Sequence, residues 1–285
     1  MSIKNKLLTT TVLAGGAALY LHQQNTSLQT SHYTLAVTNL EKENEGLKIA
    51  HLSDLHLPRT QVNLEKVLKK IADEAVDFIF LTGDQFDAGQ SFNRKQALDF
   101  FCSLRKIAAV YAIHGNHDQQ SPRAEEIPDL YQEAGITLLE DNAYSVMAEN
   151  RRPIVIMGAA EPASLLKKQK RNLLSKVMVR PDWQGQTRLL LAHRPELFER
   201  YHQDKTKAPD ITFSGHAHGG QVRIPKVGGL FAPGQGRLPK HTSGVHALAA
   251  DPSKRLVISR GLGPSQFPFR VNNRPELIFV SLTEA

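Results

Sequence analysis

The chain has 285 residues, 41% of them hydrophobic and 22% charged, with a formal net charge of +7. That is one large domain or two small ones, globular and able to bury a sizeable core, with a basic balance that favours anionic partners: phosphates, nucleic acid or a membrane surface. A single cysteine, Cys102, excludes an internal disulfide framework and a thiolate zinc site.

Residues 1–32 differ from the rest. Lys4 and Lys6 precede an uncharged run from Leu7 to Leu21, and the polar stretch HQQNTSLQTS follows. Positive flank, apolar segment and polar exit describe a signal peptide or signal anchor. The run is about 15 residues, near 22 Å as a helix and short of the roughly 30 Å hydrocarbon core. No clean small-x-small cleavage site follows it, which favours an uncleaved anchor. Lysines on the N-terminal flank predict a chain at the cytoplasmic membrane with its main domain, residues 33–285, extracytoplasmic. A chain beginning near Tyr33 is then expected to be soluble and to carry every functional motif.

From Tyr33 the text alternates. SHYTLAVTNL and GLKIAHLSD read as strands. Asn63 to Ala75 has helical spacing, with Leu64, Val67, Leu68 and Ile71 on one face. FIFLT reads as a buried strand, Gln90 to Lys106 as a helix around Cys102, and AAVYAIH as a strand. Ser121 to Ala134 is predicted helical, opened by Ser-Pro. ITLLE, YSVMAE and PIVIMGA follow as strands, and Pro162 to Val177 as a helix bearing the basic cluster Lys167, Lys168, Lys170 and Arg171. TRLLLAH, APDITFSG, GQVRI, RLVIS and PELIFVSL complete the strands. Alternating βα units followed by strand-rich sequence argue an α/β fold with more than one sheet. Gly219 to Pro239, rich in Gly and Pro, reads as a long loop beside the site.

Where these apolar runs end, the chemistry begins. Asp54 and His56 stand in HLSDLH, Asp84 in LTGDQFD, Asn116 and His117 in IHGNHD, His193 in LLLAHRP, and His216 and His218 in FSGHAHGG. Each place reads as a strand end running into a loop. A lone H-x-H in a chain with twelve histidines is weak evidence. The ordered series is another matter. Its carboxylates, imidazoles and amide supply O and N ligands for two borderline-hard cations, and octahedral Mn²⁺, Fe or Zn²⁺ fits that set. Two cations would clamp a phosphate and activate a water between them. Asp84 is the candidate bridge, since the two oxygens of one carboxylate can reach different metals. His117 is a candidate proton or hydrogen-bond donor to substrate. Asp118 is a candidate catalytic partner, accepting from the other ring nitrogen of His117 and so setting its tautomer, or equally a turn cap. Asp87 is a candidate for orienting a ligand, and Arg260 and Arg270 for binding phosphate.

At these residues the chain resembles the calcineurin-like metallophosphoesterase superfamily, whose pattern is D-x-H, G-D-x-x-D, G-N-H-D, a later His and G-H-x-H. It carries them as Asp54-Leu55-His56, Gly83-Asp84-Gln85-Phe86-Asp87, Gly115-Asn116-His117-Asp118, His193 and Gly215-His216-Ala217-His218. LKIAHLSDLH, GHAHGGQ and the late SRGLG and PFRVNNRPEL look like the bacterial membrane-associated phosphodiesterase branch, which includes proteins similar to calcineurin-like UDP-diacylglucosamine pyrophosphatases. The resemblance implies two mixed β-sheets packed face to face with helices outside. It also implies one metal on Asp54, His56 and His218 and another on Asn116, His193 and His216.

The expected function is a metal-dependent phosphodiesterase or pyrophosphatase acting through a metal-activated water on a phosphorylated small molecule or lipid-linked substrate. A nuclease on the same scaffold is the alternative, disfavoured by the anchor and by the lack of an aromatic and basic stacking platform, aromatics being 7% of the chain. A non-catalytic metal-binding scaffold is the other, and degenerate ligands would be expected there.

Overall fold

The computed structural model describes residues 3–161, 172–265 and 267–285. Two six-stranded mixed sheets pack face to face. The first has the order β1 (Gln29–Val37), β16 (Glu276–Glu284), β2 (Lys48–Leu52), β3 (Phe78–Thr82), β4 (Ala109–Ile113) and β5 (Thr137–Leu138). The second has the order β14 (Gly244–Leu248), β15 (Asp251–Ile258), β9 (Ile211–Ser214), β8 (Arg188–Leu191), β7 (Ile154–Gly158) and β6 (Asn142–Val146). In the first sheet β2, β3 and β4 run parallel, and so do β7, β8, β9 and β15 in the second.

Strand alternation explains the layers. Phe78 and Phe80 of β3 turn into the space between the sheets, where they meet Leu189, Leu191, Ile211 and Phe213 of β8 and β9. Ile79 and Leu81 turn outward onto helices α2 (Leu64–Asp73), α3 (Arg94–Ile107) and α5 (Ile127–Glu133). Phe80 and Phe213 are fully buried edge to face, centroids 5.0 Å apart; burying each such ring contributes about 1.5–3 kcal/mol. Asn63 caps α2 through Lys66 N, and Val67 and Ile71 supply its buried face.

Several expectations shift. The segment taken as polar spacer is structured: α1 runs Ile3–Thr26 and β1 begins at Gln29, pairing parallel with β16 from Glu276 onward. The division at Tyr33 therefore falls inside a strand. Among the described residues no helix is long and apolar enough to cross a membrane. The helix expected from Ser121 starts at Ile127, with Pro128 in its first turn, because Ser121 is extended at φ −60° and ψ 142°. A short helix, α4 (Asn116–Gln120), starts instead within the GNHD motif. β14, whose Gly244, Val245 and His246 are only half-buried on an edge strand, carried no alternation to read. The basic cluster Lys167 to Arg171 lies outside the described residues, as does most of the predicted helix from Pro162. Cys102 is half-buried against the helix-side core.

Candidate metal centre

Every motif lies just past the C-terminal end of a strand. β2 leads to Asp54 and His56, β3 to Asp84, β4 to Asn116 and His117, β8 to His193, and β9 to His216 and His218. Parallel pairing brings these ends to one edge of the sandwich, where strands of both sheets open together. The loops are laced by their backbones: Asp54 N donates to Gly83 O at 3.0 Å, His56 N to Asp84 O at 3.0 Å, and Gly215 N to His193 O at 3.1 Å.

Five of these residues adopt left-handed backbone: Asp54 (φ 52°), His56 (50°), Asp84 (53°), His216 (65°) and His218 (45°). Such conformations cost about 1–3 kcal/mol each for non-glycine residues and persist only where the surroundings enforce them. Their concentration here shows what the fold is spending stability on. Neighbouring glycines make room. A Cβ on Gly83 (φ +90°) would sit 2.6 Å from Gly115 N and 2.7 Å from His193 Nδ1. One on Gly215 would strike Ser53 Oγ and Asp54 Oδ2.

The side chains gather into three groups: Asp54, His56 and His218; Asp84, His193 and His216; and His56, Asp87 and His117, each with candidate ligand atoms within 4.8 Å of one another. His56 Nε2 lies 3.2 Å from His218 Nε2, and His218 Nε2 lies 3.3 Å from Asp54 Oδ1. His193 Nε2 lies 3.2 Å from Asp84 Oδ2 and 3.1 Å from His216 Nδ1. Asp84 stands between the groups, its Oδ2 also 3.9 Å from His56 Nε2. Half-buried Asn116 stands at the start of α4, its Oδ1 accepting from Arg194 at 3.4 Å.

Electrostatics fit a cation. Asp54 and Asp84 are buried, with no Lys or Arg side chain in ion-pair contact among the described residues, and uncompensated buried charge is costly. Burial presses His193 down, but the Asp84 carboxylate, with Asp54 and Glu161, outweighs it and lifts His193 to about 10. Burial, with His193 and Arg194 nearby, pushes His216 well below its usual value; burial and His56 do the same to His218. Neutral imidazoles are the ligating form. His193 Nδ1 donates to Thr82 O at 2.7 Å, which turns Nε2 inward, where loss of its proton exposes the lone pair to a ligand. Among the described residues the buried Nδ1 atoms of His56 and His218 have no hydrogen-bond partner.

His117 Nδ1 accepts the backbone N–H of Ala88 at 3.3 Å. A backbone N–H can only donate, so the ring proton is on Nε2, available to the cleft. Burial lowers His117, partly offset by Asp84. The expected link from Asp118 to His117 is absent among the described residues. Both Asp118 oxygens are taken by backbone donors instead: Asp84 N at 2.7 Å, Gly115 N at 2.8 Å and Phe86 N at 2.8 Å. Asp118 ties the β3 and β4 loops together. Asp87 accepts from Arg59 at 2.9 Å and lies 3.6 Å from His56 Nδ1. Arg260 pairs with Glu276 at 3.0 Å, while Arg270 donates to the carbonyls of Arg260, Gly261 and Gly263. Both arginines are buried and brace a loop, and neither lines the cleft.

Arg194 is the residue that reading motifs missed. Its guanidinium donates to Glu161 at 2.6 Å, meets His216 Nε2 at 3.0 Å and contacts Asn116. Its position directly after His193 at a strand end was the available signal. The groups open into a cleft of about 510 Å³ lined by Asp84, Asn116, His117, His216 and His218 on one side and Gln221, Phe231, Pro233 and Phe267 on another. The Gly- and Pro-rich loop thus walls the site, as expected. It also gathers what the 7% aromatic content concealed. Phe231 stands opposite Arg237 across a ribbon of β12 (Phe231–Ala232) and β13 (Gly236–Arg237), and Phe267 packs edge-on against Phe269.

The chain has relatives among known proteins. Residues 47–220 match the calcineurin-like phosphoesterase family. Phosphodiesterase YaeI of Escherichia coli (strain K12) is 30% identical over 251 residues, covering 82% of this chain and 82% of that protein. The uncharacterized metallophosphoesterase YkuE of Bacillus subtilis (strain 168) is 26% identical over 281 residues, or 94% and 89% of the two chains. The UDP-2,3-diacylglucosamine pyrophosphatase LpxG of Chlamydia trachomatis is 24% identical over 270 residues, 76% and 78%. Among solved structures, TT1561 of Thermus thermophilus aligns with a TM-score of 0.45 and 12% identity over 76% of this chain and 90% of that one.

Proposed function

The chain belongs to the calcineurin-like phosphoesterase family and is a hydrolase of phosphoesters, and from that premise we propose that it holds two divalent transition-metal ions and cleaves phosphodiester or pyrophosphate bonds. One observation carries the reading: the Asp84 carboxylate stands between two groups of donors, 3.2 Å from His193 and 3.9 Å from His56. In this reading Asp54, His56 and His218 hold one ion, Asn116, His193 and His216 the other, and Asp84 bridges. Mn²⁺, Fe or Zn²⁺ suits this O and N set. Bound there, the ions supply positive charge for the phosphoryl oxygens and acidify a water.

The chain's own residues do the rest. Thr82 O and Asp118 hold ligands in place. His117, its proton on Nε2, meets the phosphate or the leaving oxygen from the cleft side. Arg194 steadies Asn116 and His216. A diester or pyrophosphate fits a cleft whose far wall is apolar, because such substrates carry a second substituent that the wall can take. A lipid-linked phosphate is the substrate class favoured, in keeping with a relative named for UDP-2,3-diacylglucosamine. The N-terminal segment, with Lys4 and Lys6 before its uncharged run, is proposed to keep the domain at the outer face of the cytoplasmic membrane.

The test is hydrolysis by the full chain of a panel of phosphomonoesters, phosphodiesters and nucleotide-lipid pyrophosphates, after chelation and after return of Mn²⁺ or Ca²⁺. Chelation should abolish turnover, and Mn²⁺ should restore it where Ca²⁺, which wants oxygen-rich shells, does not. Full turnover in verified metal-free protein would refute the metal reading. Preference for monoesters would refute the substrate class.

A further inference from the structure

The wall of the cleft continues outward as an apolar rim. Ile224, Val227, Phe231, Leu238, Phe267 and Phe269 are all exposed, Phe231 by 51%, Phe267 by 50% and Leu238 by 66%. They belong to two segments joined where Arg223 N donates to Val271 O at 2.9 Å; within the first, Leu238 N donates to Leu230 O at 2.9 Å. Phe231 and Phe267 line the cleft, Phe269 packs on Phe267, and the others lie on the same two segments, so apolar exposure gathers around the site as a docking feature. Its charge is one-sided. From Gln221 to Ala250 the chain has no Asp or Glu, and Lys226, Arg237 and Lys240 project from it. Among the described residues none of these three pairs with a carboxylate.

A third observation orients the rim. The end of α1 is rooted in it. Tyr20 Oη donates to Asn272 at 2.8 Å, Asn273 N donates to Gln24 at 3.0 Å, and Asn25 bonds both Pro268 O and Arg270 N at 3.0 Å. The exposed side chains of α1 beyond this root include Val12, Leu13 and Leu19. Helix and rim thus offer apolar groups beside one another.

We propose that the mouth of the cleft is itself a membrane-docking surface, whose aromatic and aliphatic rim enters the interface of an anionic bilayer while Lys226, Arg237 and Lys240 meet the headgroups. Apolar side chains gain by leaving water, and each Lys or Arg near anionic lipid adds attraction that salt weakens. The cleft then faces the lipid, so a lipid-linked phosphate reaches His117 and Asp84 without leaving the bilayer surface. This goes beyond the assignment of the reaction, and its principal test is blind to hydrolysis.

Trp183 is the sole tryptophan. In the full chain carrying Trp183→Phe, single probes Leu238→Trp, Phe269→Trp and, as control, Tyr144→Trp on β6 are titrated with vesicles of phosphatidylcholine with and without phosphatidylglycerol. The Leu238→Trp and Phe269→Trp probes should shift to the blue and be quenched by brominated acyl chains, more with phosphatidylglycerol and less in high salt. The Tyr144→Trp probe should not move. Unshifted rim probes would overturn the proposal, whether or not the chain sediments with the vesicles through α1. A shift on adding single-stranded DNA and not vesicles would assign the rim to nucleic acid; a shift on raising protein concentration alone would assign it to a second copy. Either would overturn it too. In the natural-tryptophan chain, Leu238→Ser with Phe269→Ser should weaken vesicle binding about tenfold or more, while turnover of a water-soluble phosphodiester stays unchanged.

Discussion

The Asp118 carboxylate accepts the backbone N–H of Asp84 at 2.7 Å. With Gly115 N and Phe86 N on the same carboxylate, it fixes the peptide that presents the candidate bridging ligand. Asp118→Asn replaces one accepting oxygen with an amide that faces an N–H donor. A loss of about 1–3 kcal/mol is expected from the unmatched buried donors. The melting temperature should fall, and so should metal content after dialysis. A variant with unchanged stability and two metals would show that the loops do not depend on this carboxylate.

Asp84 and His56 should separate on mutation. Asp84→Asn removes the charge shared by both donor groups, so elemental analysis should find both ions depleted. His56→Ala should deplete one. If Asp84→Asn retains two ions and near-normal turnover, the bridge lies elsewhere.

His117→Gln keeps a donor of similar reach but removes the ring. Two ions should remain bound while kcat falls about 10²–10⁴-fold, the usual size of an acid–base contribution. The deficit should shrink for substrates with good leaving groups if Nε2–H protonates the leaving oxygen. Equal deficits across leaving groups would point to phosphate positioning instead.

Metal uptake should release a proton. His193 is lifted to about 10, so at pH 8 the metal-free chain holds its proton, and that proton must leave when Nε2 takes a ligand. Affinity should therefore rise with pH, by up to about tenfold per unit, and level off above pH 10. In the metal-free chain the sign is reversed for stability: the raised value makes the His193 contribution complete below 6.5 and lost as pH climbs through 10. Calorimetry in buffers of different ionisation enthalpy measures the release; none at pH 8 would contradict a protonated His193.

Truncation at Tyr33 should be damaging, against the expectation from sequence. It cuts β1 after its pairing with β16 has begun at Gln29 and removes Tyr20, Gln24 and Asn25 from the loop at 268–273. Asn273 in that loop donates to His218 O and Gln221 O at 2.8 and 3.0 Å, so the loss reaches the site. A melting temperature lower by at least about 4 °C is expected, with reduced kcat/KM, whereas deletion of residues 1–16 should spare both. Equal behaviour of the two truncations would show that the helix end positions nothing.

What could be read from the sequence divides along physical lines. Buried strands such as FIFLT are continuous apolar runs, and ligand motifs sit at their ends, so β2, β3, β4, β8 and β9 and the gathering of Asp54, Asp84, His193 and His216 were legible. Edge elements were not. β14 is half-buried without alternation, and α4 is hidden in a motif read for its chemistry alone. Asp118 stayed open between a partner for His117 and a turn cap, because a carboxylate beside a histidine suggests a pair, whereas three backbone N–H groups from two loops converge on it only in the fold. Arg194 and the aromatic rim share that origin. Their roles depend on which loops meet, a long-range property that local spacing does not carry.

The position of β16 has a consequence for biogenesis. Strand β16 lies between β1 and β2, more than 220 residues away in sequence, parallel to one and antiparallel to the other. Until residues 276–284 leave the ribosome, β1 has no neighbour and β2 lacks half its ladder. The nascent chain cannot close its first sheet, and contacts of such large sequence separation form slowly. Synthesis therefore leaves the first sheet incompletely folded until residues 276–284 are made, the condition in which a polypeptide can still be threaded through a narrow pore or captured by a chaperone.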